Sequence, residues 1–133
     1  IDLSGSEVYL ENLFFSNISD KIISAGENTN VSINKVRGTN SYIGIASKDG
    51  STSIVTDVNF KNVKIPFASY QKKKSFAHAV LKVNDPIYLE NYFTKNVKDK
   101  KSNIYINNKK IQKFNDQVSN IIYKKKLKLI NAK

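Results

Sequence analysis

Hydrophobic and polar residues alternate along three ten-residue blocks in the first half of the chain. The blocks span residues 8–17, 31–40 and 53–62, and each places mostly apolar residues at its first, third and sixth positions. Alternation with a period of two is typical of a strand with one buried face, and the change of phase after the third position predicts a bend. Each block ends in asparagine, so the pattern predicts a repeat of about 22 residues.

A shorter pattern precedes each block and occurs once more after the third. Four segments begin with isoleucine and carry small residues at their fourth and fifth positions: 1–5 (IDLSG), 22–26 (IISAG), 43–47 (IGIAS) and 65–69 (IPFAS). One segment and one block make a coil of two or three short strands, which cannot bury its apolar face alone. We therefore expect the coils to stack with parallel pairing.

A helical repeat of similar length is the competing interpretation. It is disfavoured because isoleucine, valine, threonine, serine and asparagine dominate, and no apolar stripe persists at helical spacing.

The alignment predicts which residues lie above one another in the stack. The recurring asparagines Asn17, Asn40 and Asn62 share one corner, where a side-chain amide can bond the next coil. The aliphatic core is predicted from the columns Val8 and Val31; Leu10, Ile33 and Val55; and Leu13, Val36 and Val58. In the shorter segments the same alignment stacks Ile1 on Ile22 and places Asp2 beside Ile23.

These repeats resemble the coils of pectate-lyase-like right-handed parallel β-helix proteins, in the IISAG, IGIAS and IPFAS starts and in the VYLENLFFSN block. The resemblance covers residues 1 to about 70 and implies an all-β, right-handed parallel β-helix solenoid. That architecture carries lyases, hydrolases, epimerases, adhesins and inert stalks, so it implies no single activity. The stretches IGIASKDGS and ASYQKK also resemble coils appended to spore-coat-kinase-like surface proteins.

After Tyr70 the register becomes irregular, and the sequence predicts a last, atypical coil. Residues 71–75 (QKKKS) form a solvated break, and two strands are expected at 79–83 and 86–89, with a turn at Asn84-Asp85-Pro86 between them.

An irregular C-terminal cap is expected beyond this coil. A hairpin is predicted around Asn107 and Asn108, because asparagine tolerates the positive φ of a tight turn. Apolar residues at near-helical spacing in 112–130 predict a short basic amphipathic helix. The predicted organisation is 1–70 for the regular coils, 71–111 for the last coil and hairpin, and 112–133 for the C-terminal helix or cap.

Charge is distributed unevenly along this architecture. The chain has 133 residues and a net charge of +11, contributed by 21 lysines and the single arginine Arg37 against 11 acidic residues. Residues 1–60 carry four basic and seven acidic side chains, whereas residues 61–133 carry eighteen and four. Any polyanion-binding surface is therefore expected in the second half. No stretch of about 18 apolar residues occurs, so no membrane span is expected.

No catalytic, metal or cofactor site can be assigned from the residues. Sugar hydrolysis needs two carboxylates about 5 to 9.5 Å apart, and no column of the alignment stacks two acids. His78 is the only histidine and has no acidic residue nearby in the sequence, and Asp49-Gly50 is a turn signal. We therefore predict no catalytic residue, no metal ligand and no cofactor within this segment.

Binding is the chemistry that the basic half favours. Tyr88 and Tyr105, together with Lys72, Lys73 and Lys74, are the predicted binding residues, because aromatic faces with cationic neighbours suit an acidic polysaccharide. Specific nucleic-acid recognition is not expected, because lysine lacks the bidentate fork of arginine. The alternative is that this surface has no binding function: the tyrosines are ordinary strand residues, and the lysines are solvated.

The sequence supports two functional hypotheses, which belong to different classes of protein. The favoured one is a non-catalytic β-helix module of a larger surface or secreted protein, acting as a scaffold or contacting carbohydrate. The alternative is the C-terminal coils of a polysaccharide lyase, hydrolase or epimerase with catalytic residues upstream, which leaves open whether the whole protein is an enzyme. Because the repeat is already in phase at Ile1 and methionine is absent, we expect an upstream domain in the same chain.

Circular dichroism tests the predicted architecture. We expect a spectrum dominated by β-structure, with a minor helical contribution from residues 112–130. A mainly helical spectrum would contradict the solenoid and favour the helical repeat.

Overall fold

Parallel strands stack into a β-solenoid of about four turns that is 62% strand. The structure is a computed structural model and describes residues 1–88 and 94–124. Its elements are β1 (Asp2–Ser4), β2 (Glu7–Ser16), β3 (Lys21–Gly26), β4 (Asn30–Lys48), β5 (Thr52–Tyr70), β6 (Val80–Ile87), β7 (Val97–Lys98), β8 (Asn103–Ile106), β9 (Lys109–Lys110) and a π-helical turn (Asn120–Lys124).

Each coil has three sides, which we call the first, second and third faces. The first face contains residues 1–4, 21–26, 43–48, 65–70 and 97–98. The second face contains residues 7–11, 30–34, 52–56, 80–84 and 103–106. The third face contains residues 13–16, 36–39, 58–61 and 86–87. The strands β4 and β5 are long because each runs over three faces and bends at the corners.

All three corners contain residues with positive φ. Asn17, Asn40 and Asn62 have φ of 59°, 50° and 55°, and the Asn62 side-chain amide donates to Asn40 Oδ1 at 2.9 Å. The predicted asparagine corner is therefore confirmed. The corner between the second and third faces has positive φ at the four residues Asn12, Lys35, Asp57 and Asp85. Asparagine and aspartate predominate because the left-handed region costs them less than other L-residues.

The corner between the first and second faces combines residues with positive φ, such as Gly5 and Asp49, with side-chain hydroxyls. Thr29 Oγ1 accepts from the amide N–H of Ser6 at 3.4 Å, and Ser51 Oγ accepts from that of Thr29 at 3.1 Å. Ser102 Oγ repeats the contact with the N–H of Ala79 at 3.0 Å. Each hydroxyl satisfies a backbone donor of the preceding coil that the bend removes from the strand ladder.

The columns predicted for the longer blocks are confirmed. The backbone pairs Val8 with Val31, Leu10 with Ile33 and then Val55, and Leu13 with Val36 and then Val58.

On the first face the predicted alignment of 43–47 with 65–69 is confirmed, but the register among its first three strands differs from the predicted one. Asp2 pairs with Ser24, which pairs with Ala46, so the expected positions of Asp2 beside Ile23 and of Ile1 on Ile22 are wrong by one residue. The pattern could not distinguish the two registers, because Ile22 and Ile23 are both apolar and small residues follow them in either case.

The core contains aromatic rings as well as the predicted aliphatic columns. The ring centroids of Phe60 and Phe67 lie 5.6 Å apart, and Tyr88 meets Phe67 edge-on at 5.2 Å. Gly44 makes room for this cluster, since a Cβ there would lie 2.5 Å from Phe60 Cε2. The interior thus adds an aromatic cluster to the aliphatic columns, which continue through Leu81 and Ile104.

The last coil largely follows the prediction. The expected strand at 79–83 lies in β6, where Asp85 bends the chain with φ of 53° and the strand continues through Pro86 to Ile87. The hairpin is confirmed, because β8 and β9 pair antiparallel around Asn107 and Asn108, which both have positive φ.

The predicted C-terminal helix at 112–130 is wrong in its beginning, and its described part lies elsewhere than expected. Residues 111–115 are irregular, the described helical part is limited to 118–124, and residues 125–133 lie outside the described chain. Val118 and Ile122 do not close the end of the stack. They pack across the outer side of the first face, in a second apolar cluster with residues of its third and fourth coils: Ile43, Ala46, Ile65 and Ala68.

This lateral packing explains the composition of the first face. Residues 65–70 are buried without interruption, because alternate side chains enter the main core and the cluster under the C-terminal segment. A strand covered on both sides is apolar throughout and does not alternate. Tyr42 Oη also donates to the carbonyl of Ile121 at 3.1 Å, and Tyr70 Oη lies 2.8 Å from Tyr123 Oη.

Substitutions on opposite sides of one strand test the assigned orientation. Ile33 is 2% exposed in the core, whereas Ser32 is exposed on the second face. We expect Ile33→Asp to prevent folding, or to lower the free energy of unfolding by about 4 kcal/mol or more, because it buries an unpaired charge. Ser32→Asp should change it by less than about 0.5 kcal/mol. Equal midpoints in urea would contradict the assignment.

The Tyr70–Tyr123 contact predicts a loss of stability in alkali. Burial, reinforced by the neighbouring Tyr123, raises the pKa of Tyr70 far above its ordinary value. The stability contributed by the neutral hydroxyl is therefore complete below the unfolded-state pKa of about 10 and is lost as the pH rises above it. Urea unfolding from about pH 8 to about pH 11 should show a steeper decline for the native chain than for Tyr70→Phe. Tyr9→Phe, at a ring that is 63% exposed, should leave the native decline unchanged.

Candidate functional site

The predicted lysines lie in the loop between β5 and β6. Asp49, which is 1% exposed, accepts the backbone N–H groups of Lys72 and Lys73 on Oδ1, both at 2.7 Å. The Lys73 ammonium pairs with Glu27, whereas the Lys72 ammonium lies 4.8 Å from the ring centroid of Tyr123. Lys74 is exposed. The three consecutive lysines therefore differ in their surroundings and do not form one uniform patch.

The two predicted tyrosines are also separated. Tyr88 is partly buried against the core, with its ring edge-on to Phe67. Tyr105 lies on the outer side of the second face, between the inward residues Ile104 and Ile106 of the same strand. Of the other tyrosines in the basic half, Tyr70 is fully buried, Tyr123 packs against Tyr70, and Tyr92 lies outside the described residues.

Tyr105 ends an outward column that crosses five consecutive coils. The backbone register stacks Tyr9, Ser32, Ile54, Lys82 and Tyr105 in this order. Tyr9 is 63% exposed and Ile54 is 38% exposed, and the Lys82 ammonium lies 5.9 Å from the Tyr105 ring centroid. Because neighbouring strands lie about 4.8 Å apart, the two tyrosines are separated by about 19 Å. We call this column the outer column.

Hydrogen-bonding side chains flank the outer column on both sides. One flanking column contains Glu7, Asn30 and Thr52, and the other contains Glu11, Asn34, Thr56 and Asn84. A groove of about 460 Å³ follows the surface around Tyr9 and Ile54. The second face therefore offers apolar contact along its middle and polar contact at its borders.

Charge changes sign along the outer column. Glu7 and Glu11 are exposed at the first coil, whereas Lys82 and Lys110 are exposed near Tyr105. Lys110 lies opposite Tyr105 in the hairpin, so both side chains lie on the same side of it. Lys109 lies opposite Ile106 and extends from the other side. The Tyr105 end of the outer column is therefore its basic end.

Sequence reasoning identified Tyr105 but missed Tyr9, Ile54 and Lys82. The signal was present, since Tyr9 and Ile54 hold the second position of their blocks, where alternation predicts an outward side chain. Lys82 holds the equivalent place in the strand 79–83.

His78 acquires partners that the sequence did not indicate. Its Nδ1 lies 3.4 Å from Asp99 Oδ1 and 3.5 Å from Ser102 Oγ. A hydrolytic triad needs the acid and the serine on different ring nitrogens, but here both face Nδ1. Ser102 Oγ also accepts the N–H of Ala79. This group therefore has the geometry of a structural contact.

Asp99 has a structural role in the same contact. Burial opposes ionisation, but the N–H groups of Gln71 and Ser102, which bond the carboxylate at 2.7 and 2.8 Å, outweigh it and lower the pKa of Asp99. Asp99 thereby connects the loop after β5 to the last coil.

Within residues 1–88 and 94–124, histidine and acidic side chains form no group of three suited to a metal ion, and no helix is long and apolar enough to cross a membrane. Comparison with protein families, curated proteins and solved structures finds no match to this chain.

Proposed function

We propose that this chain is a non-catalytic β-solenoid module of a larger surface or secreted protein, and that its second face contacts a glycan. The observation that carries the proposal is the outer column, in which exposed Tyr9 and Ile54 and the cation-flanked Tyr105 lie between columns of amides and hydroxyls.

The chemistry of this surface suits a sugar chain. A tyrosine ring offers an apolar face for the C–H side of a sugar and a polar tip for its hydroxyls. Asn30, Asn34 and Thr52 supply donors and acceptors beside the apolar strip. Because these side chains project from hydrogen-bonded strands, little backbone order is lost on binding. A sugar chain lying across the strands would meet the aromatic, hydroxyl, aliphatic and cationic side chains of the outer column in turn.

The basic end of the outer column favours an acidic glycan. Lys82 and Lys110 flank Tyr105, so a carboxylate-bearing sugar stacked on this ring would have two cations nearby. Glu7 and Glu11 would repel the same ligand at the opposite end. We therefore assign the main contact to the Tyr105 end.

The spacing of acids supports binding more than hydrolysis on this face. Glu7 and Glu11 lie on one strand four residues apart, which separates their backbones by about 13 Å. Glycoside hydrolysis uses carboxyl groups no more than about 9.5 Å apart. The parallel solenoid remains compatible with a pectate-lyase-like or spore-coat-kinase-associated β-helix, and hence with the alternative that these coils belong to a larger polysaccharide-active enzyme.

Glycan binding at fixed ionic strength tests the proposal. We expect pectate to bind more tightly than a neutral glycan or duplex DNA, and Tyr105→Ala to weaken pectate binding roughly tenfold by removing the stacked ring and its cation contact. Lys82→Gln should reduce the preference for pectate over the neutral glycan. Isothermal titration calorimetry provides the affinities.

Phe14→Ala is the matched control, because Phe14 is 71% exposed but lies on the third face. It should bind pectate as the native chain does. Two results together would contradict a binding surface: affinity that follows only the charge density of the polyanion, and equal affinity in Tyr105→Ala and the native chain. The chain would then have a structural role.

A further inference from the structure

A second concave site lies on the first face, away from the outer column. The described C-terminal residues pack on the third and fourth coils of this face, and Tyr123 borders a pocket beside the first two. This pocket has a volume of about 290 Å³ and is lined mainly by charged and polar side chains. Those that matter here are Asp2, Asp20, Lys21, Ser24, Lys48 and Lys72, with the ring of Tyr123 at one side.

The cations of this pocket exceed its anions. Lys21 is satisfied by Asp20 at 3.1 Å, and its side chain is only 7% exposed. Within the described residues, no carboxylate oxygen lies within 4 Å of the ammonium of Lys48 or of Lys72. Asp2 is the remaining carboxylate in the pocket. Three ammonium groups therefore share the space with two carboxylates, and two of the three lack a direct ionic partner.

The arrangement brings these cations together despite their repulsion. The ring of Tyr123 lies 4.9 Å from the Lys21 ammonium and 4.8 Å from that of Lys72. Lys48 is partly buried, and burial, followed by repulsion from Lys21, lowers its pKa. An anion in the pocket would relieve both effects, since it would replace lost solvation and offset the repulsion.

Ser24 provides an independent indication of a ligand. It lines the pocket, is 5% exposed, and its Oγ has no hydrogen-bond partner within the described part of the chain. Buried hydroxyl groups are seldom left unpaired, because desolvation without a partner is costly. An acceptor atom placed in the pocket would satisfy this donor.

We propose that the pocket binds a small oxyanion, namely a phosphate or sulfate group. Lys48 and Lys72 supply the charge, Ser24 donates a hydrogen bond, and Tyr123 positions Lys72. Such a group exists as a free ion and as a substituent on a sugar, and the site chemistry is the same for both. The inference does not depend on glycan binding at the outer column, because the two sites lie on different faces and share no residue.

Calorimetric titration of the full 133-residue chain tests the site, with inorganic phosphate, inorganic sulfate and glucose 6-phosphate as separate ligands at constant ionic strength in chloride. We expect saturable binding at one site per chain. Loss of a charged hydrogen bond should make Lys48→Gln bind roughly tenfold more weakly, and Ser24→Ala should also weaken binding. Tighter binding of glucose 6-phosphate than of phosphate would identify the substituted sugar as the ligand, and the reverse order would identify the free ion.

Two variants serve as matched controls. Ser69→Ala removes another buried hydroxyl without a partner, but Ser69 does not line the pocket. Lys74→Gln removes an exposed lysine from the same loop as Lys72. Both should bind as the native chain does. Absence of saturable binding, native affinity in Ser24→Ala, or an equal loss in Lys74→Gln and Lys48→Gln would overturn the proposal.

Nuclear magnetic resonance of the native chain keeps the test independent of variant folding. Phosphate should shift the amide resonances of Ser24, Lys48 and Lys72 and leave those of Ser32 and Ile54 on the second face unchanged. Shifts spread evenly over the lysine-rich surface would mean nonspecific charge screening and would overturn the site. Because pectate binding is measured at the outer column, failure of one proposal is distinguishable from failure of the other.

Discussion

The architecture depends on one constraint: each coil must turn three corners without leaving a buried backbone group unpaired. All three corners use residues that tolerate positive φ, such as Asn40, Asp57 and Asp49, and one of them also uses hydroxyls such as Ser51. Because these solutions recur at the same point of successive coils, the coils retain similar lengths and their strands remain in register. Regular stacking of the inward side chains, and hence the core, follows from the corners.

The same register organises the outside of the solenoid. Side chains that alternate with the core residues lie in columns, so chemistry repeated once per coil becomes a continuous strip on one face. The outer column from Tyr9 to Tyr105 is such a strip. Longer insertions occur where they do not disturb this order, and the loop after β5 is held by the carboxylates of Asp49 and Asp99.

On the first face, the outward side chains of the third and fourth coils are covered by the C-terminal segment. The segment buries the outer side of this face and brings Tyr123 onto Tyr70. Beside Tyr123, lysines of different coils and of the loop surround one pocket. A polar site of this kind forms at the edge of a packed interface. The apolar stems of the lysine side chains can lie on the apolar surface while their ammonium groups meet beyond it.

The sequence by itself determined the repeat, the asparagine corner, the core columns of the longer blocks and the hairpin, because each depends on local periodicity or on the φ preference of a residue. It identified Tyr105 in the candidate surface by residue type alone. Only the tertiary structure decided the register of the first face, where Ile22 and Ile23 are equivalent in pattern. It alone placed the helical residues 118–124 on that face, His78 beside Asp99, and Lys48 and Ser24 around one pocket. These contacts join residues far apart in the chain, and their geometry depends on how elements pack, which local pattern does not encode.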